Sequence, residues 1–294
     1  GWQPDTFSFS PEFQKQIRNT LIKEIISKHS GKGIIHTHDW MAGGIIAAYC
    51  KLRNIPLLHT VHNSHTGLVP TDMFYGVNID ELGNYLYFVN DNGRRCIDCQ
   101  ASAIKSAGVV SYVGKRFLEE TVQDYFLDRQ IIPWSVRLET KAKYQHGSVI
   151  AIPNGISPSM YPENQLENPD TGERGLAKKF SIDDNVIESK KLNLVKFQKK
   201  TGLIVNPDAI LLYWPSRLDK MQKGIELLED IALKFVIEHP DTQIAIIGNP
   251  VGSDRTHADI LGRIACASGG KIIYRPFDED LSLLGYAASS DVFG

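Results

Sequence analysis

The chain has 294 residues, 42% of them hydrophobic, with a formal net charge of -2. That length holds roughly two domains, and the apolar content supports real cores, which excludes wholesale disorder. A near-neutral chain without a clustered basic excess argues against a nucleic-acid partner, and no run of about 18 apolar residues is present to span a membrane.

Short apolar runs alternate with amphipathic stretches along the chain. Helical spacing is predicted over 13–28, 42–52 and 101–106. Between and after these stretches, 33–37, 56–61, 108–111 and 148–152 read as buried strands. Runs of this length separated by helices predict βαβ units and a parallel sheet. Residues 162–190 are polar and poor in apolar side chains, so they read as an excursion between two sheets. A helix follows over 189–200, with Gly202 as its C-cap. A second series then begins, with strands at 209–214, 243–248 and 271–274 and helices at 225–238 and 257–268. A doubly wound half carries about six strands, and only three and a stub at 290–294 are visible. The chain therefore reads as a fragment, cut at its C-terminal end. Because residue 1 is Gly rather than Met, a cut is also expected at its N-terminal end. Its opening carries no signal-peptide pattern.

The chemistry-bearing residues cluster where strands end. The run Leu211-Leu-Tyr-Trp-Pro-Ser-Arg-Leu-Asp-Lys-Met-Gln-Lys-Gly224 delivers two permanent cations, Arg217 and Lys223, into the loop after a strand and before a helix. Alone they could be solvated surface charges. Ligands of open α/β sheets, however, sit at the carboxyl ends of strands, and helix N-termini favour phosphate. Two fixed cations there can hold a departing pyrophosphate without a metal, which suggests transfer of a group from a nucleotide. His36-Thr-His-Asp-Trp40 follows another strand and offers His38 and Asp39, as a ligand contact or as a satisfied structural pair. Thr60-Val-His-Asn63 and Asn154-Gly155 close two further strands, and each Asn either contacts a ligand or shapes a turn. The four cysteines are too sparse for a disulfide scaffold and suit a reducing compartment. The lone Cys96-Ile-Asp-Cys99 lacks partners at zinc-ligand spacing and reads as two incidental thiols.

Taken in order, these pieces resemble the bacterial and plant glycogen (starch) synthases, retaining glycosyltransferases of the two-Rossmann GT-B fold. The resemblance is carried by Ile35-His-Thr-His-Asp-Trp-Met-Ala-Gly-Gly44, Thr60-Val-His-Asn63, Pro153-Asn-Gly-Ile156, Ser216-Arg-Leu-Asp-Lys-Met-Gln-Lys-Gly224 and Ala287-Ala-Ser-Ser-Asp-Val292, and it spans about 34–293. It implies an α/β fold with two Rossmann-like domains whose parallel sheets face a cleft, the C-terminal one truncated. The domains would be 1–158 on the acceptor side, an interdomain excursion and helix at 159–204, and 205–294 on the nucleotide-sugar side. The implied reaction transfers glucose from ADP-glucose to the non-reducing end of an α-1,4-glucan with retention. Arg217, Lys223 and His38 would be catalytic. Asp39, Asn63, Asn154, Gly224 and Phe277 would bind substrate, Phe277 near the nucleobase. No cofactor and no metal are implied. The partners would be ADP-glucose and the glucan, with neither nucleic acid nor membrane. Cytoplasm is the default compartment, with a plastid left open. Alternatives are another retaining GT-B enzyme using a UDP- or GDP-sugar and a small acceptor, or a non-catalytic glucan-binding relative.

The chain departs from the family pattern in places. One extra residue separates Arg217 from Lys223, which a one-residue bulge would absorb. Met41 replaces a frequent His, Ser157 a common Asp, and His65-Thr66 stands for Tyr-Gln. The family's Lys-x-Gly-Gly-Leu loop is expected before residue 1 and its Glu-Pro-x-Gly loop after Gly294. Without them the 294 residues alone are expected to lack transferase activity.

Overall fold

The computed structural model describes residues 6–22, 24, 28, 33–125, 127 and 131–292. The chain divides into two compact units, Gly1–Gly155 and Ile156–Gly294.

Unit 1 carries β1 (Ile35–His38), β2 (Leu57–Val61), β3 (Leu68–Pro70), β4 (Phe88–Asp91), β5 (Arg94–Asp98), β6 (Val109–Tyr112) and β7 (Val149–Ala151). A parallel sheet runs in the order β1-β2-β6-β7. Its core gathers Val61, Val110 and Tyr112 from the strands with Ile46, Ala47, Ala103 and Ile104 from the helices Ile45–Leu52 and Cys99–Ser106. The predicted helix over 42–52 starts at Ile45, because Trp40–Ala42 forms a tight 3-10 turn and Gly44 sits at φ 60. The first turn of that helix is satisfied from outside: Ile45 N–H donates to Gln14 Oε1 (2.9 Å), a buried side chain of the helix Thr6–Gln16. Of the helix predicted over 13–28, the part to Ile22 is described, its later turns as a π-helix; most of the remainder lies outside the described residues.

A second sheet, antiparallel in the order β3-β5-β4, was not foreseen from sequence. It closes a satellite core around Trp40, Phe74, Leu86 and Ile97. The helices Lys115–Val122 and Trp134–Gln145 complete the described part of unit 1. Buried Arg137 joins them, donating to the carbonyls of Glu120, Thr121 and Tyr125 at 2.7 to 3.0 Å.

Unit 2 carries β8 (Ile210–Trp214), β9 (Thr242–Ile247), β10 (Ile272–Arg275) and β11 (Asp291–Val292), all parallel in the order β10-β9-β8-β11. Side chains alternate across a strand, so the sheet feeds two cores. Leu211, Tyr213, Ala245, Ile247 and Ile273 pack with the helices Val186–Thr201 and Glu279–Ala288. Trp214, Ile244, Ile246 and Ile272 pack with the helices Ile225–Glu238 and Thr256–Ala267. The chain steps outward from β8 to β9 to β10, then returns to place β11 on the other side of β8. That reversal makes the carboxyl end of β8 a topological switch point, where sheets of this kind open a ligand crevice.

The stretch 159–204, read from sequence as lying between the sheets, packs within unit 2. Leu176 and Phe180 enter its core, and buried Lys196 donates to the carbonyls of Asn168 (2.7 Å) and Gly175 (2.8 Å). The helix Val186–Thr201 ends at Gly202 in the left-handed conformation (φ 86), as its sequence predicts.

Candidate active site

In unit 2 the candidate residues follow β8. Asp219 N–H donates to the Arg217 carbonyl (2.8 Å), a γ-turn centred on Leu218, whose side chain is buried. One helical turn, Lys220–Lys223, comes next, and Gly224 at φ 62 redirects the chain into Ile225–Glu238. The γ-turn and the short helical turn together span the residues between Arg217 and Lys223.

Arg217 lines a cavity of about 400 Å³ at the switch point, with Ser216, Gly248, Asn249, Phe277 and Tyr286. Its shape depends on a close crossing. A Cβ on Gly248 would overlap the carbonyl of Ser216, and Leu218 N–H donates to the Asn249 carbonyl (3.0 Å) just beyond. Gly248→Ala is therefore expected to push the loops after β8 and β9 apart and to destabilise the protein by about 2 kcal/mol or more. A urea midpoint within error of the parent's would contradict that crossing. Phe277 N–H donates to Asn249 Oδ1 (3.1 Å), and its ring is largely exposed. The structure brings Arg217 and Phe277 to one cavity. It places Lys223 at the end of the helical turn and Gly224 before the next helix, neither among the cavity-lining residues. Asn249 and Tyr286 were missed in the sequence. Asn249 follows the end of β9 by two residues, the kind of position that marks the other candidates.

In unit 1 the candidates follow β1 and β2, which pair His38 with Thr60. Asp39 takes φ 51, unusual for a residue with a Cβ, and its carboxylate spans the next loop. Oδ1 accepts from His62 N–H (2.8 Å) and Oδ2 from the Asn63 amide (3.3 Å). Asn63 Oδ1 in turn accepts from His65 N–H (2.9 Å). His38 Nδ1 and His62 Nε2 share a hydrogen bond of 2.9 Å, and the His36 ring lies 4.2 Å from that of His38. Partial burial and the neighbouring His36 and His62 lower the His38 pKa, partly opposed by Asp39. His38 is thus a neutral ring at pH 7 whose Nε2 makes no hydrogen bond to the described residues. Such a ring can donate to or accept from a sugar hydroxyl. Beneath it, His59 is fully buried, with Nδ1 on Thr37 Oγ1 (2.9 Å), and burial drives its pKa down to about 3. Asp39, Asn63 and His38 therefore form one connected group. Asn154 is exposed beyond β7, two strands away from β2, and joins none of these hydrogen bonds.

Among the described residues no three His, Cys, Asp or Glu side chains converge as metal ligands. Cys99 does open a helix after a strand, as a redox pair would require, but it is buried and burial raises its thiol pKa to about 12. Cys96 is buried on β5, and its pKa is also raised by burial. Neither thiol is in a setting that favours the thiolate.

Residues 6–130 match the family model of the starch synthase catalytic domain. Glycogen synthase 1 of Synechocystis sp. is 26% identical over 270 residues, 92% of this chain and 50% of that protein. The chain is thus similar to glycogen and starch synthases over most of its length. Glycogen synthase of Clostridium perfringens is 28% identical over 88% of this chain and 51% of its own. The catalytic domain of starch synthase IV from Arabidopsis thaliana, solved bound to ADP and acarbose, superposes with a TM-score of 0.73 at 20% identity. The match covers 99% of this chain and 57% of that one. That likeness establishes the α/β GT-B fold expected for a synthase relative. The chain spans about half the length of the curated synthases it matches.

Proposed function

We propose that the protein carrying this chain is a retaining glucosyltransferase that moves glucose from ADP-glucose to the non-reducing end of an α-1,4-glucan. The observation that carries this reading is Arg217 in a cavity at the switch point of the unit 2 sheet, within a motif that resembles the one expected of glycogen synthases. The solved relative binds ADP and acarbose, which supports a nucleotide donor and a glucan acceptor here.

In this reading unit 2 holds the donor. Arg217 takes the diphosphate in a bidentate grip, Lys223 adds a point charge from the helical turn, and the N-terminus of Ile225–Glu238 adds its dipole. Phe277 stacks near the nucleobase. These cations neutralise the charge that develops on ADP as it leaves from the face the acceptor approaches, and the diphosphate accepts the acceptor's proton. The reading asks for no metal and no further cofactor. His38, with Asp39, Asn63 and Asn154, binds sugar hydroxyls from unit 1, and Gly224 lets the chain turn close to the phosphates.

Among the described residues no helix is long and apolar enough to cross a membrane, and we place the reaction in the cytoplasm. Calorimetry with ADP, UDP and GDP tests the donor site. ADP is expected to bind at least tenfold more tightly than the others, and Arg217→Ala to weaken it. Preference for UDP or GDP would favour a different GT-B enzyme. Glucan binding without nucleotide binding would favour a non-catalytic role.

A further inference from the structure

Trp134 is a large aromatic that unit 1 leaves in the open. It is 62% exposed, whereas Trp40 and Trp214 are each 2% exposed. Its backbone is nevertheless fixed. Pro133 precedes it as the N-cap of Trp134–Gln145, and Arg137 N–H closes the first turn on the Pro133 carbonyl (3.0 Å).

The same turn is bolted to the candidate site. Ser135 Oγ donates to Asp98 Oδ2 (2.5 Å), and Thr66 Oγ1 donates to Asp98 Oδ1 (2.5 Å). Asp98 is buried and also caps the helix Cys99–Ser106 through Ala101 N–H (2.9 Å). A second tie runs from Ser64 Oγ to the Ile131 carbonyl (3.2 Å). Residues 63–66 are thus held to 131–135 at two points, one on each side of Trp134. Ile131 and Leu138 are also exposed, and Leu138 lies one helical turn along on the same face as Trp134.

We propose that Trp134 is a stacking platform for the acceptor glucan, continuous with the loop that carries Asn63. A pyranose ring presents an apolar C–H face rimmed by hydroxyls, and a flat aromatic on an anchored backbone matches that face with few rotatable bonds to freeze. The neighbouring loop offers polar partners for the rim, Asn63 and His65 among them. The connection of this patch to the Asn63 loop favours the glucan as its occupant. The inference rests on the glucosyltransferase reading above.

The test uses the protein carrying this chain, with Trp134→Ala and Trp134→Phe variants, and measures maltoheptaose affinity beside ADP affinity. Because the side chain is exposed, both variants should fold. Trp134→Ala is expected to weaken maltoheptaose binding about fivefold, the scale of one lost aromatic contact. Trp134→Phe should recover most of it, and ADP affinity should not change in either. Unchanged maltoheptaose affinity in Trp134→Ala with ADP bound normally overturns the platform and leaves the donor-site reading intact. The platform also fails if the parent binds ADP but no maltoheptaose, or if Trp134→Ala alters only self-association. A parent that binds neither ligand overturns both readings.

Discussion

Replacing Arg217 with alanine in the protein carrying this chain is expected to lower kcat/KM for ADP-glucose about 10²- to 10³-fold, the usual loss when one fixed donor to a developing anion is removed. Arg217 is exposed and lines its cavity, so the unfolding free energy from urea titration should stay within about 0.5 kcal/mol of the parent's. Arg217→Lys should recover only part of the rate, because an ammonium keeps the charge but not the planar fork that meets two phosphate oxygens. Lys223→Ala should also be slow. If both cations act on the same diphosphate, the double variant should lose less than the product of the single losses. Fully multiplicative losses would separate Lys223 from the diphosphate. Near-parental turnover in Arg217→Ala would end the clamp assignment.

The second large effect is on stability in acid. His59 is fully buried and neutral, with a pKa near 3 against 6.5 in the unfolded chain. Above pH 6.5 neither state binds the proton, and the folded state carries no penalty. As pH falls below 6.5, the unfolded chain takes up a proton that the folded one refuses, so stability drops. Linkage puts the loss at about 2 kcal/mol by pH 5 and about 4–5 kcal/mol once the pH falls through 3. His36, His38 and His62 reinforce it, because protonating any of them repels a charge on His59. Urea titrations of unit 1 between pH 7 and pH 4 should show this slope, and His59→Asn should flatten it. A slope unchanged by that substitution would place the acid sensitivity elsewhere.

Much of the architecture is visible in sequence because parallel strands buried on both faces leave continuous apolar runs. β8, β9 and β10 are each within about one residue of their predicted ends, and the helix Ile225–Glu238 has its predicted bounds. The antiparallel sheet was less legible, since β3 and β4 are short and largely half-buried or exposed. Its best signal was Asn92-Gly93, both at positive φ between β4 and β5, the dipeptide that favours a tight hairpin. Trp134–Gln145 escaped notice for a different reason. Its buried face includes Ser135, Arg137 and Thr140, so no apolar period marks it. At the candidate site, the strand-end rule pointed to Arg217, His38 and Asn63, and the structure places them at or just beyond the ends of β8, β1 and β2. That rule could not show that a turn of helix carries Lys223, which is not among the cavity-lining residues, because sequence spacing does not fix the direction of a loop.

Asp98 joins three segments, at positions 66, 101 and 135, that are distant in the chain. Loops usually tolerate substitution one residue at a time, but this one does not stand alone. A change of charge or length at 98 strands two hydroxyls and a helix end together, and the loss of either hydroxyl leaves a buried carboxylate short of a donor. Positions 66, 98 and 135 are therefore expected to tolerate substitution only as a set, and the Asn63 loop is anchored through a buried carboxylate as a core segment would be.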